Sequence, residues 1–211
     1  MKLQKEDLLL YAITNRRWLA KEILAEQVEK ALKGGITMLQ LREKNMPYDQ
    51  VRQTAIELQT LCRKYSIPFI INDYVELAKE IGADGVHVGQ SDTSVIKARE
   101  ILGPDAIIGA TAKTMEQALA AQEQGADYLG SGAVFGSSTK LDAKPMEHEL
   151  LQKICEAVTI PVVAIGGITG ENVATLKGRG MAGIAVVGGI FGQENIKQAA
   201  SELKKRMIEI M

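Results

Sequence analysis

Cysteine is scarce in this 211-residue chain: Cys62 and Cys155 are the only two, and they stand in no metal-ligand spacing. A cysteine-held metal and a disulfide framework are set aside on that ground. Both thiols read as packed side chains of a protein kept in a reducing compartment. Long apolar runs are missing too. None approaches the ~18 residues of a membrane span, and the charged start Met1–Asp7 lacks the apolar core of a signal peptide. Nor is there excess charge of either sign, since 25 basic and 26 acidic side chains leave a formal charge of −1. That balance offers no electrostatic footprint for nucleic acid or for an anionic membrane. The expectation is a soluble, cytoplasmic protein with no nucleic-acid or membrane partner. Any anion it binds must be met by a local cluster. Neither histidine has a triad-like setting; His87 reads as a hydrogen-bonded residue inside a strand and His148 as a surface residue.

What the chain has in quantity is alternation. Short apolar, β-branched runs recur at 8–14, 37–41, 69–72, 85–88, 106–109, 128–130, 162–165 and 183–187. Amphipathic stretches separate them at 19–33, 48–65, 75–81, 94–102, 115–124, 149–157, 170–178 and 194–207. Strands that are apolar on both faces suit a parallel sheet covered by helices. Gly34-Gly35, Gly82-Ala-Asp84, Gly125-Ala-Asp127 and Gly180-Met-Ala-Gly183 place glycine where a helix must end and turn into a strand. Pro68 and Pro161 stop helices by another route, because proline cannot continue one. Eight such units, with no linker-like or low-complexity stretch, predict an α/β protein: a single-domain (β/α)8 barrel across residues 1–211. Length agrees, since roughly 200 residues is the lower edge for that fold.

In such barrels chemistry sits at the C-terminal strand ends and in the loops that follow. After strand 2, alternation sends Gln40, Arg42 and Lys44 to one face and Leu41 and Glu43 to the other. Two cations and an amide on one face form a clamp for a diphosphate, or else a solvated strand end paired with neighbours such as Glu43. Strand 3 ends in Asn72-Asp73, and strand 4 leads into Gln90-Ser-Asp92. Asp73 and Asp92, on neighbouring strands, can reach one hard cation such as Mg²⁺; each can equally cap the helix after it. Thr111 puts a hydroxyl near the mouth after strand 5, Thr114 is the N-cap of the next helix, and Lys113 is read as solvated. The loop after strand 6 is the longest, and Ser137, Ser138, Thr139 and Lys140 offer donors to phosphate oxygens. The diglycines Gly166-Gly167 and Gly188-Gly189 follow strands 7 and 8. There barrels frequently hold a phosphate on backbone N–H groups, although tight turning also asks for glycine. Trp18 and Met38 are read as packing residues. Together these parts describe a group-transfer enzyme with two phosphorylated substrates, one of them carrying a metal-held diphosphate.

The strings Gln40-Leu-Arg-Glu-Lys44, Ile71-Asn-Asp73, Gly82-Ala-Asp-Gly-Val-His-Val-Gly-Gln-Ser-Asp92, Gly125-Ala-Asp-Tyr128, Thr139-Lys140 and Val163-Ala-Ile-Gly-Gly-Ile168 resemble the thiamine phosphate synthase family, in order along nearly the whole chain. The resemblance implies a Mg²⁺-dependent transferase, one ion per subunit, that joins an aminopyrimidine methyl diphosphate to a thiazole ethyl phosphate or its carboxylate and releases diphosphate. By it, Gln40, Leu41, Arg42, Glu43, Lys44, Asn72, Thr111 and Lys140 would contact the pyrimidine diphosphate. Of these, Arg42, Lys44, Thr111 and Lys140 would act in catalysis. Asp73 and Asp92 would hold the metal, and Ser137, Ser138, Thr139, Gly167, Val187 and Gly188 would bind the thiazole phosphate. The resemblance also allows a homo-oligomer. This sequence departs from the family pattern at Thr111 and Gly188, where serine is usual, at Lys113 for histidine, at Ser137 for threonine, and at Ala133 and Gly136 in the long loop. Two other readings fit the same scaffold: a thiazole tautomerase-like paralogue, which needs neither clamp nor Mg²⁺, and a non-catalytic regulator that binds a phosphorylated ligand.

Overall fold

Each apolar run forms a strand with two buried faces, because one face meets the barrel interior and the other a layer of helices. The computed structural model describes residues 2–19, 22–136 and 145–211. Its strands are β1 (Leu10–Ile13), β2 (Met38–Leu41), β3 (Phe69–Asn72), β4 (Gly85–Val88), β5 (Ile107–Thr111), β6 (Tyr128–Gly132), β7 (Val162–Ile165) and β8 (Gly183–Val186). All pair in parallel and in sequence order. The barrel closes where Tyr11 of β1 lies beside Ala185 of β8. The expected α/β barrel is the observed fold.

Alternation sorts the side chains into two cores. Leu10, Ala12, Leu39, Leu41, Phe69 and Ile71 join the outer core beneath the helices. Tyr11, Ile13, Met38, Ile70, Ile107, Tyr128 and Val163 fill the interior. Gly109 makes the interior possible: a Cβ there would lie 2.1 Å from Cζ of Tyr128, so only glycine admits that ring.

The helices are α1 (Leu24–Lys33), α2 (Tyr48–Lys64), α3 (Val75–Ile81), α4 (Val95–Leu102), α5 (Met115–Glu123), α6 (His148–Ala157), α7 (Gly188–Phe191) and α8 (Ile196–Ile210). On α1 the buried residues Leu24, Gln27, Val28, Ala31 and Leu32 recur every three to four positions, the stripe a helix needs to face a sheet. Gly82 ends α3 in the left-handed conformation, as its position predicts. Thr114 and Asn195 cap α5 and α8 by accepting from Gln117 N (3.2 Å) and Gln198 N (3.0 Å). The repeated Gly-Ala-Asp turns share one device. Asp84 accepts from the N–H of Phe69 (2.8 Å) and Asp127 from that of Ile108 (2.7 Å), so each carboxylate ties down the start of the neighbouring strand.

Two helical expectations are corrected. The stretch 170–178 forms only a 3₁₀ turn, Val173–Leu176, which still buries both its end residues. Asn172 folds it tightly by accepting from Thr169 N (2.9 Å) and donating to Gly167 O (2.8 Å). After β8 the diglycine opens a short helix, α7, as barrels frequently have at that joint. Helix α1 begins at Leu24, not at Leu19, because a 3₁₀ turn at Arg16–Trp18 precedes it. Among the described residues no helix is long and apolar enough to cross a membrane. Cys62 is buried, Cys155 is partly so, and both are free thiols.

Candidate active site

A cavity of about 470 Å³ opens at the C-terminal ends of the strands. Its floor is a run of polar side chains that reach inward from five strands. Gln40 on β2, 2% exposed, donates to the Tyr11 hydroxyl at 2.6 Å. Tyr11 and Tyr128 share a hydrogen bond of 2.8 Å. The Tyr128 hydroxyl also meets His87 Nδ1 at 3.1 Å, and His87 Nε2 meets the Thr111 hydroxyl at 3.0 Å. Burial pushes both phenols far above their ordinary pKa, so they stay protonated and remain hydrogen-bonding partners. This run places Gln40 and Thr111 at opposite ends of one buried network. His87 is therefore the interior residue expected from the sequence. His148 is not at the surface as expected: it is half-buried, with Nε2 3.2 Å from Val134 O and its ring edge-on to Phe135.

On the β2–β4 side the expected cluster assembles. Arg42 and Asn72 line the cavity, and the Lys44 ammonium forms an ion pair with Asp73, the residue after Asn72. Asn72 is 7% exposed and its amide nitrogen has no hydrogen-bond partner. A buried donor left open in this way costs about 1–3 kcal/mol unless an acceptor reaches it, so it is poised for a ligand. The Asp92 carboxylate faces that of Asp73. Burial pushes the Asp73 carboxyl above the ordinary aspartate range; the Lys44 partner pulls it down and the facing Asp92 pushes it up. Asp73 also holds a left-handed backbone (φ 64°), uncommon outside glycine, with its N–H bonded to His87 O at 2.9 Å. Neither aspartate caps the helix after it. Ser94 caps α4, and Asp92 accepts instead from the N–H of Gly89 at 2.9 Å.

Leu41 and Glu43 turn away from the mouth, which removes their side chains from the proposed pyrimidine contact and leaves only their backbone. Leu41 belongs to the outer core, and Glu43 is buried in an ion pair with Arg16 at 2.7 Å. Lys113 is exposed and sits on the cavity wall.

The opposite wall is apolar and rich in glycine. Gly166 and Gly167 have φ of +103° and +67°, and a Cβ on Gly167 would lie 2.7 Å from Phe135 O. Val187, Gly188 and Gly189 line the same wall, and the two glycines open α7. Their N–H groups have no intrahelical acceptor there. The candidate residues Ser137, Ser138, Thr139 and Lys140 lie outside the described residues. The sequence reading missed Tyr11, Tyr128 and Trp18 as cavity residues. Inward parity on β1 and β6 was the available signal for the tyrosines; for Trp18, in the turn after β1, there was none.

Among the described residues no group of three or more His, Cys, Asp or Glu side chains converges to hold a metal by itself. Two facing carboxylates, one of them made a weaker acid by burial and paired with Lys44, nevertheless form an oxygen-only donor set. That suits Mg²⁺, which is commonly held by one or two carboxylates together with substrate phosphates.

Residues 10–190 match the family described as thiamine monophosphate synthase. A thiamine-phosphate synthase of Ruminiclostridium cellulolyticum is 48% identical over 199 residues, covering 94% of this chain and 95% of its own. One from Clostridium acetobutylicum is 46% identical over 194 residues, 92% of each chain. A solved thiamine phosphate pyrophosphorylase from Pyrococcus furiosus superposes with a TM-score of 0.91 at 40% identity, covering 98% of both chains.

Proposed function

Since the chain belongs to the thiamine monophosphate synthase family, we propose that it forms thiamine phosphate, the product named by its relatives, by joining a pyrimidine methyl diphosphate to a thiazole ethyl phosphate. The observation that carries this reading is one cavity with two unlike walls. A polar wall with Gln40, Arg42 and Asn72, next in the chain to the Lys44–Asp73 ion pair, faces a wall of glycine amides and apolar side chains at β7–β8. A diphosphate suits the first, and a small heterocycle bearing one phosphate suits the second.

The chemistry is a substitution at the methylene carbon between pyrimidine and diphosphate. The C–O bond breaks and its electron pair leaves with the diphosphate, while the electron-rich aminopyrimidine steadies the cation left behind. The lone pair of the thiazole nitrogen then forms the new C–N bond. With the carboxylated thiazole, CO₂ is lost as well. Arg42, Lys44 and Lys140 stabilise the negative charge that builds on the departing oxygens. Asn72 gives its open amide to an acceptor on the pyrimidine side, beside the hydroxyl of Thr111 and the amide of Gln40. Asp73 and Asp92 would hold Mg²⁺, which when bound adds positive charge where the diphosphate leaves. Gly167, Val187 and Gly188, with Ser137, Ser138 and Thr139, bind the thiazole phosphate. Holding both reactants in one cavity supplies the remaining rate enhancement through orientation.

A coupling assay tests the reading. Both substrates with Mg²⁺ should give thiamine phosphate and diphosphate in equal amounts. Full activity in excess chelator would remove the metal from this scheme, and no product under any condition would remove the activity.

A further inference from the structure

The chain has a single tryptophan, Trp18, at the end of the 3₁₀ turn between β1 and α1. Its backbone is pinned from both sides. Asn15 accepts from the N–H of Arg17 at 2.8 Å, and the buried Gln27 of α1 donates to the Trp18 carbonyl at 2.9 Å. The half-buried indole lines the cavity and lies across the first turn of α7. A Cβ on Gly188 would stand 3.1 Å from Cη2 of the indole and 3.4 Å from Cζ2, closer than side chains ordinarily approach. The ring therefore lies close against the peptide backbone, and a side chain at 188 would make it give by a few tenths of an ångström. The indole also packs against the outer core, and the Arg17 guanidinium stands 5.7 Å from its ring centroid.

We infer that Trp18 is the aromatic wall of the thiazole subsite, seated on Gly188, and that it sets the selectivity of that subsite for a flat heterocycle. The inference rests on the proposed reaction and extends it. Phe135, Ile168 and Val187 line the same side of the cavity, so the indole completes an apolar slot beside the glycine amides. A planar ring stacked on an indole gains contact that an aliphatic phosphate ester would not. The thiazole ring is neutral when it enters and becomes a thiazolium cation as the C–N bond forms. The Arg17 guanidinium already lies over the indole at 5.7 Å, so the part of this wall is to hold the flat, neutral ring as it enters.

Steady-state kinetics and intrinsic fluorescence of the Mg²⁺-supplied enzyme test this. Trp18→Leu should raise KM for thiazole phosphate at least tenfold while KM for the pyrimidine diphosphate stays within twofold, and Trp18→Phe should recover part of the loss. Gly188→Ser should weaken thiazole phosphate use in the parent, and less so when Trp18 is already Ala. Because Trp18 is the only tryptophan, its fluorescence should change saturably as thiazole phosphate is added. An unchanged thiazole KM in Trp18→Leu, equal rises for both substrates, or strictly independent effects of the two substitutions would each overturn the inference. Failure of the unmodified enzyme to couple the substrates would instead overturn the proposed reaction. The fluorescence titration would then still decide whether Trp18 borders a bound thiazole phosphate.

Discussion

The hydroxyls of Tyr11 and Tyr128 lie 2.8 Å apart in the middle of the barrel, and their rings meet edge to face with centroids 5.8 Å apart. Polar groups this deep are costly unless each has a partner. Here they link Gln40 on one side of the cavity floor to His87 and Thr111 on the other. Tyr128→Phe keeps the ring but cuts the link, removing the hydrogen bonds that Tyr128 makes with the Tyr11 hydroxyl and His87 Nδ1. It should cost about 1–3 kcal/mol in urea unfolding. KM for the pyrimidine diphosphate should rise more than KM for the thiazole phosphate if Gln40 and Thr111 are the pyrimidine contacts proposed above. Equal changes in both constants would show that the network serves stability alone.

Asp73 and Asp92 make a sign prediction. Burial raises the Asp73 pKa in the folded protein, so its contribution to metal-free stability is present at low pH and is lost as pH rises through that raised value. Mg²⁺ needs the ionised carboxylate, so its stabilising effect should grow over the same range. At a hundredfold excess over Kd the gain is about 2.7 kcal/mol, or roughly 5–10 °C in Tm for a chain of this size. Calorimetry with and without Mg²⁺ across pH 4–8 measures it. Asp73→Asn and Asp92→Asn should lose most of the gain; a full gain in both variants would move the metal elsewhere.

Arg42, Lys44 and Lys140 are assigned to the charge that develops on the leaving diphosphate. Replacing any one by Ala should lower kcat/KM by about 10²-fold or more, the scale seen when a single stabilising donor is removed. Circular dichroism should stay unchanged in Arg42→Ala and Lys44→Ala, because Arg42 lies on the cavity wall and Lys44 is exposed. Lys44→Ala carries an additional signature. It removes the partner that lowers the Asp73 pKa, so its activity should shift to higher pH. A near-normal rate in any one variant would free that residue of its role.

Alkaline stability should decline. Burial raises Cys62 from 9.0 to about 12 and Cys155 to about 11, and it raises Tyr11 and Tyr128 from 10.0. The unfolded chain therefore releases these protons first. Stability contributed by the four groups is complete below pH ~9 and falls as pH climbs toward the folded values. Tm measured from pH 8 to 11 should drop, and Cys62→Ala should flatten the slope. In the folded protein Cys62 should resist alkylation at pH 8.

Much of this molecule could be read along the chain. Glycine-ended helices and apolar runs gave the barrel, and the position of Asp73 and Asp92 after neighbouring strands gave the paired carboxylates. Thr114 was read as a cap because local spacing decides caps. The shape of the 170–178 segment escaped, since Asn172 gathers it through contacts that amphipathic spacing does not encode. Glu43 was assigned to the mouth by its place in a motif, although alternation already turned it toward the Arg16 side.

Periodicity and turn chemistry act over a few residues, so the order of strands, the joints between them and the family motifs are properties of the sequence alone. Closing the barrel decides the rest, because it brings residues more than a hundred positions apart into contact. Tyr11 against Tyr128 and Trp18 over Gly188 are such meetings. No local pattern announces them, and they exist only once β8 pairs with β1.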